Sequence, residues 1–188
     1  MLEGKRVVYD VVKMRTPGPP FLRHRSKFQS ASAEERLAFY NASNYHFVLQ
    51  AALMEQARAD HTRPLVIVLD RWWISSLCGF CVEQRLAVEN ISDLGMWPAD
   101  LPQPARSSTV CITVEESVRI ARLSGRNEEL TWQEKDLEHN VHARAIARAL
   151  YHQCQKQGCL QFVSNDTVLR DCVAAIIKIH FPNWTALE

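Results

Sequence analysis

One acidic and one basic residue stand together where chemistry can be done. Asp70 and Arg71 directly follow the apolar run Leu65-Val66-Ile67-Val68-Leu69 and precede Trp72-Trp73-Ile74-Ser75-Ser76. In open α/β sheets, ligands bind beyond the carboxyl ends of the strands. A carboxylate and a guanidinium placed there can serve a metal ion and a phosphate, because the planar fork of Arg donates two parallel hydrogen bonds. The structural alternative is an Asp that caps the next helix beside an exposed Arg. A second set is Arg119, Arg122 and Arg126. Spaced three and four residues apart, they share one helix face. Three like charges repel, and a polyanion would relieve that repulsion. An Arg-rich flap suits phosphoryl transfer, where positioning and charge neutralisation do most of the work. The alternative is a solvated face paired with Glu115 or Glu116. A third set is Phe39, Tyr40, Asn44 and Tyr45: an aromatic ring can stack on a base while an amide reads its edge, or the group can simply pack a core.

The elements that must position these groups follow from patterning. Residues 6–12 favour a strand, ended by Thr16-Pro-Gly-Pro-Pro20. Ser32 and Glu35 are spaced as a capping box, which predicts a long helix to about Ala59 with Leu37, Tyr40, Phe47, Val48, Ala51 and Met54 on one face. Leu65–Leu69 is apolar on both faces, as a central parallel strand is. A helix is expected over 73–89, then a Pro-rich loop from Asp93 to Pro104, then a strand over 109–114. Thr113 and Glu116 read as a second capping box, opening a short helix that stops near Gly125. Thr131 and Glu134 read as a third, opening a helix to Gln157 with Gly158 at its C′ position. Leu160–Val163 is a short strand, and residues 167–180 form a last apolar helix. This alternation predicts an α/β fold: one parallel sheet, covered on both faces, in a single domain over 1–188.

Composition narrows the function. The chain of 188 residues carries a formal net charge of +1, which argues against holding nucleic acid by bulk electrostatics. Hydrophobic residues make up 47% and charged residues 23%, and no apolar run approaches the roughly 20 residues of a membrane span. No secretory signal opens the chain, so its six cysteines are expected to be reduced thiols. Cys78-x-x-Cys81 with His139, His142, His152 and Cys154 offers metal-ligand types. A zinc ribbon needs a second CxxC-like pair at suitable spacing, and the chain has none, so no metal centre is expected there.

Together these segments resemble the thymidylate kinase family, most nearly its mitochondrial UMP/CMP kinase branch, over roughly residues 10–180. Asp70-Arg71-Trp72-Trp73-Ile74-Ser75-Ser76 is similar to that family's D-R-Y/W-W-x-S-x block, and Leu37 to Tyr45 is similar to the branch's A-F-Y-x-x-x-N-Y stretch. Glu115 to Arg126 and Thr131 to Asn140 resemble its lid, about 119–131, and the acidic helix after it. The resemblance implies a P-loop-kinase-like three-layer αβα fold. It implies transfer of the γ-phosphoryl of ATP, with Mg²⁺, to UMP, CMP, dUMP, dCMP or dTMP. Arg71 would hold the acceptor phosphate, with Arg15 facing it and Ser75 beside it. Asp70 would lie near the metal and the reacting phosphates. Phe39 would stack on the pyrimidine, with Tyr40 beside it and Asn44 at its edge. Arg119, Arg122 and Arg126 would stabilise charge, and Asn165 would lie near the adenine. The resemblance also implies a homodimer through helices and a mitochondrial or cytoplasmic setting.

The departures are as informative. The family opens with a strand and G-x-x-x-x-G-K-[ST], whose backbone N–H groups cradle phosphate. This chain has no such motif, since Gly4-Lys5 is followed by Arg6. The expectation is a fold truncated at the first strand and P-loop, whose chain alone does not turn over ATP. The competing expectation is a P-loop-less pseudokinase that binds or regulates. Ser43 stands near where thymidylate kinases place an Arg, which weakens the case for thymidylate as acceptor.

Overall fold

The computed structural model describes residues 9–15, 17–87, 89–90, 109–125, 137–166 and 168–181. Strand β1 (Asp10–Arg15) pairs in parallel with β2 (Leu65–Asp70), in a register that sets Asp10 against Leu65 and Arg15 against Asp70. Strand β3 (Val110–Thr113) pairs in parallel with β4 (Gln161–Ser164), Val110 against Gln161. The expected single sheet is thus two two-stranded parallel sheets among the described residues, and the α/β class with parallel strands holds. No helix among the described residues is long and apolar enough to cross a membrane.

The connection after β1 begins with a short helix, α1 (Pro19–Leu22), with Pro at its start, where a missing N–H costs nothing. Helix α2 (Ala33–Ala57) opens on the expected capping box: the Glu35 N–H donates to Ser32 Oγ at 3.2 Å, and the Ser32 N–H donates to Glu35 Oε2 at 2.8 Å. The helix is apolar on more than one side. Phe39 is buried, while Tyr45, Leu49 and Leu53, four residues apart, stay exposed. Helix α3 (Trp73–Glu83) follows β2 after a two-residue corner. It stops six residues short of the expected end, because Gln84 closes the helix and Arg85 takes a positive φ of 49°.

Helix α4 (Glu116–Ser124) ends at Gly125 as expected, but its start differs. Thr113 is the last residue of β3 and sends its hydroxyl to the Val163 carbonyl at 3.4 Å. Committed to the strand, it cannot cap. The helix expected from Thr131 to Gln157 is interrupted at Asn140, whose side chain accepts the Ala143 N–H at 3.0 Å and starts a fresh helix, α5 (Val141–Lys156). Asn is a strong N-cap, and here it outcompetes helical continuity. Thr131, Glu134 and the loop from Asp93 to Pro104 lie outside the described residues, as do residues 6–8 of the first expected strand. Helix α6 (Leu169–His180) closes the described chain, with Cys172 buried.

The core lies where α3 and α5 meet the β3–β4 pair. Trp73, Ile74, Leu77, Cys78 and Cys81 from α3 pack with Ile146, Leu150 and Cys154 from α5 and with Leu160. Cys111 of β3 and Phe162 of β4 close it from the sheet side. Burying a side chain such as Ile146 or Leu150 contributes about 2–3 kcal/mol. Helix α3 therefore does two things. It anchors the core, and its first turn fixes the corner after Asp70.

Candidate functional site

The parallel register brings two residues 55 positions apart to the same sheet end. Arg15 and Asp70 are the last residues of β1 and β2, paired in the ladder, with Arg15 Nε 3.8 Å from an Asp70 carboxylate oxygen. More than half of each side chain is exposed. The contact is long and wet, so it holds the two charges near each other without consuming them. Asp70 is a strand residue and does not cap α3, whose N-cap is Trp72.

Arg71 occupies the corner with φ of +73°. A bulky non-glycine residue pays about 1 kcal/mol or more for that conformation. A short corner between a parallel strand and the helix that follows it demands the turn, and the chain makes it with Arg where Gly would be unstrained.

Helices α2 and α3 flank this corner. Asn44 is fully buried, its Nδ2 donating to Ser76 Oγ at 3.5 Å, while its Oδ1 has no hydrogen-bond partner among the described residues. Ser43, also buried, accepts the Gly18 N–H at 3.3 Å and ties the loop after β1 to α2. Tyr151 of α5 is half-buried and packs against the core cluster at the start of α3, and burial pushes its hydroxyl well above the usual range. Phe39 lies in an aromatic cluster: Phe28 stacks on it at 4.3 Å, and Phe21 and Tyr40 meet it edge-on at 5.5 and 5.4 Å. One face of the ring is therefore covered from within the chain.

The ends of β3 and β4 carry the other candidates. Arg119 makes a two-pronged pair with Glu116 at 2.8 and 2.7 Å, which holds the Glu116 carboxyl below its ordinary pKa. Arg122 donates to the Asn165 carbonyl at 2.7 Å, joining two candidates picked on separate grounds. Asn165 Oδ1 is buried without a hydrogen-bond partner among the described residues. Arg126 lies outside the described residues, so this end shows two of the three arginines of that set.

Asp166 was not singled out in the sequence, and it organises this end. One carboxylate oxygen accepts the Glu115 N–H at 2.5 Å and the other accepts the Ser164 hydroxyl. These hydrogen bonds, the Ser164 hydroxyl first, lower its pKa. It supplies at the start of α4 the acceptor that Thr113 was expected to give. The signal was available in Ser164-Asn165-Asp166, a spacing that lets a short carboxylate bond its own turn.

Among the described residues no group of three His, Cys, Asp or Glu side chains is placed to hold a metal ion. Cys78 and Cys81 are core residues, and burial pushes the Cys78 thiol up to about 12. Compared with protein-family models and with curated proteins, the chain finds no match.

Proposed function

We propose that this chain is the acceptor-binding part of a nucleoside monophosphate kinase of the thymidylate kinase kind. It would hold UMP, CMP, dUMP, dCMP or dTMP for phosphoryl transfer from ATP, within a P-loop-kinase-like fold. The observation that carries the reading is the corner at Arg15, Asp70 and Arg71. Two cations and one carboxylate are gathered at adjacent parallel strand ends, and one cation is kept at a backbone cost that Gly would avoid. Arg71 and Arg15 hold the acceptor phosphate by charge-assisted hydrogen bonds. The Phe39 and Tyr40 cluster receives the pyrimidine, and the unpartnered Asn44 Oδ1 accepts from its edge or from an ordered water. Ser75 stands at the start of α3, behind the phosphate-binding corner.

Arg119, Arg122 and Arg126 form the lid, and Asn165 stands at the adenine side. Mg²⁺ usually keeps several waters and takes one or two carboxylates besides substrate phosphates. Asp70 fits that modest demand, and the ion would neutralise phosphate charge there. The ATP phosphates are another matter, because the sequence contains no G-x-x-x-x-G-K-[ST]. The absence of that motif favours a second reading, a nucleotide-binding or regulatory module that does no transfer. Both readings share the acceptor site, and both place the protein in the mitochondrion or cytoplasm. Self-association through α2 belongs to the proposal, supported by the exposed stripe of Tyr45, Leu49 and Leu53.

The test is equilibrium dialysis of CMP and UMP against the chain and against its Arg71→Ala variant. Loss of binding in a variant with an unchanged circular-dichroism spectrum supports the assignment. Equal binding by both proteins removes Arg71 from the site.

A further inference from the structure

Helix α5 ends in a two-bond reversal. The Gly158 N–H donates to the Gln155 carbonyl and the Cys159 N–H to the Cys154 carbonyl, both at 2.9 Å, with Gly158 at φ +72°. This is the Schellman arrangement, in which the second residue past the cap folds back over the third residue before it. Here those two residues are Cys159 and Cys154, so the helix end brings their backbones together, with the Cys159 thiol donating to the Gln157 carbonyl at 3.7 Å. The two thiols differ in access. Cys154 is 1% exposed, while Cys159 is half-buried. Of the other thiols, Cys78, Cys81 and Cys172 are buried and Cys111 is half-buried on β3.

We propose that Cys154 and Cys159 are a thiol–disulfide exchange site that closes the end of α5 when it meets a low-molecular-weight disulfide such as oxidised glutathione. The Cys159 thiolate attacks one sulfur of oxidised glutathione. The S–S bond breaks, one glutathione leaves as a thiolate and takes up a proton, and Cys159 carries a mixed disulfide. Cys154 then loses its proton and attacks the Cys159 sulfur, expelling the second glutathione, which is protonated in turn. Two protein thiols are oxidised, one glutathione disulfide is reduced to two thiols, and the two thiol protons end on glutathione. The chain separation suits the product: a hydrogen bond between these two residues keeps their backbones within the range a disulfide spans. Burial raises both thiols, Cys154 to about 12, so exchange is slow at neutral pH and quickens as pH rises. The bond locks the reversal that leads through Leu160 into β4, and so stiffens the approach to Ser164, Asn165 and Asp166.

The experiment treats the whole chain with oxidised glutathione, blocks remaining thiols, and digests the denatured protein with trypsin without reduction. Trypsin cuts after Lys156, between the two cysteines. The expected product is peptide 149–156 joined to peptide 157–170, separated by reductant and formed faster at pH 9 than at pH 7. The Cys159→Ser variant, altered at a half-buried position on the edge of the core, should yield neither the linked pair nor a glutathione adduct at Cys154. Three results each overturn the proposal: glutathione persisting on Cys159, Cys159 or Cys154 joined to Cys111 or another thiol, or both cysteines recovered with the blocking group.

Discussion

The two strand pairs end in charged groups that are used differently. At the ends of β1 and β2, Arg15 and Asp70 stand 3.8 Å apart and open to solvent, and Arg71 beside them holds a positive φ. At the ends of β3 and β4 the polar groups close on one another. Arg119 grips Glu116, Arg122 holds the Asn165 carbonyl, and Asp166 bonds both Glu115 and Ser164. The first end keeps the Arg15 and Asp70 side chains open to solvent. The second spends its hydrogen bonds on its own loops. Residue type alone does not separate them, since both ends carry Arg, Asp or Glu, and Ser. Satisfaction separates the exposed Arg15–Asp70 pair from the second end: a group already closely bonded within the chain must give up that bond to serve a ligand.

Substitutions at four positions test this contrast. The largest effect is expected from Phe39→Ala, which empties the aromatic cluster of Phe21, Phe28 and Tyr40 and should destabilise the fold by about 3–4 kcal/mol in urea denaturation. Phe39→Leu should recover most of that stability while leaving pyrimidine monophosphate binding weak. If the Leu variant binds as well as the parent, the ring is a core residue only. Next is Arg71→Gly. Monophosphate binding should fall about 10- to 100-fold as a charge-assisted contact is lost, while stability rises by about 1 kcal/mol as the strained φ is relieved. A rise in stability with unchanged binding would mean that Arg71 serves no ligand.

Gly158→Ala comes third, at about 1 kcal/mol of destabilisation. A Cβ there meets nothing within 4 Å, so the cost is the positive φ alone, and acceptor binding should not change. The smallest effect is at Asp166. Its carboxyl is held below the usual range by the Ser164 and Glu115 hydrogen bonds. A depressed carboxylate contributes stability that is present above its unfolded value, about pH 4, and is lost as pH falls through the folded value. The melting temperature of the parent should therefore exceed that of Asp166→Asn at neutral pH. The gap should close in acid. A gap that does not narrow as pH falls from neutral into acid, or acceptor binding that falls with this change, would contradict the structural role given to the β3–β4 end.

The parts of the fold that were legible in the sequence are those governed by local rules. The Ser32–Glu35 box, the apolar run before Asp70 and the glycine after α5 each act within a few residues, and each appears where expected. The parts that were not depend on competition or distance. Thr113 had a capping spacing, but pairing with β4 claimed it for the strand. Asn140 sat within a helical pattern and started a new helix instead. The neighbourhood of Arg15 and Asp70 depends on a register between strands more than 50 residues apart, which no local pattern encodes. Phe39 was legible as an aromatic with two readings, and only the arrival of Phe28 and Phe21 from the helical connection after β1 shows how much of the ring is already covered.

We place the proposed acceptor site at the β1–β2 end of a chain whose sequence contains no G-x-x-x-x-G-K-[ST]. Isothermal titration with CMP, UMP and dTMP, and separately with ATP·Mg²⁺, beside a coupled phosphoryl-transfer assay, tests it most directly. Saturable binding of a pyrimidine monophosphate is expected, with no binding or turnover of ATP by this chain alone. Turnover with ATP, or no heat from any monophosphate at millimolar concentration, would contradict it.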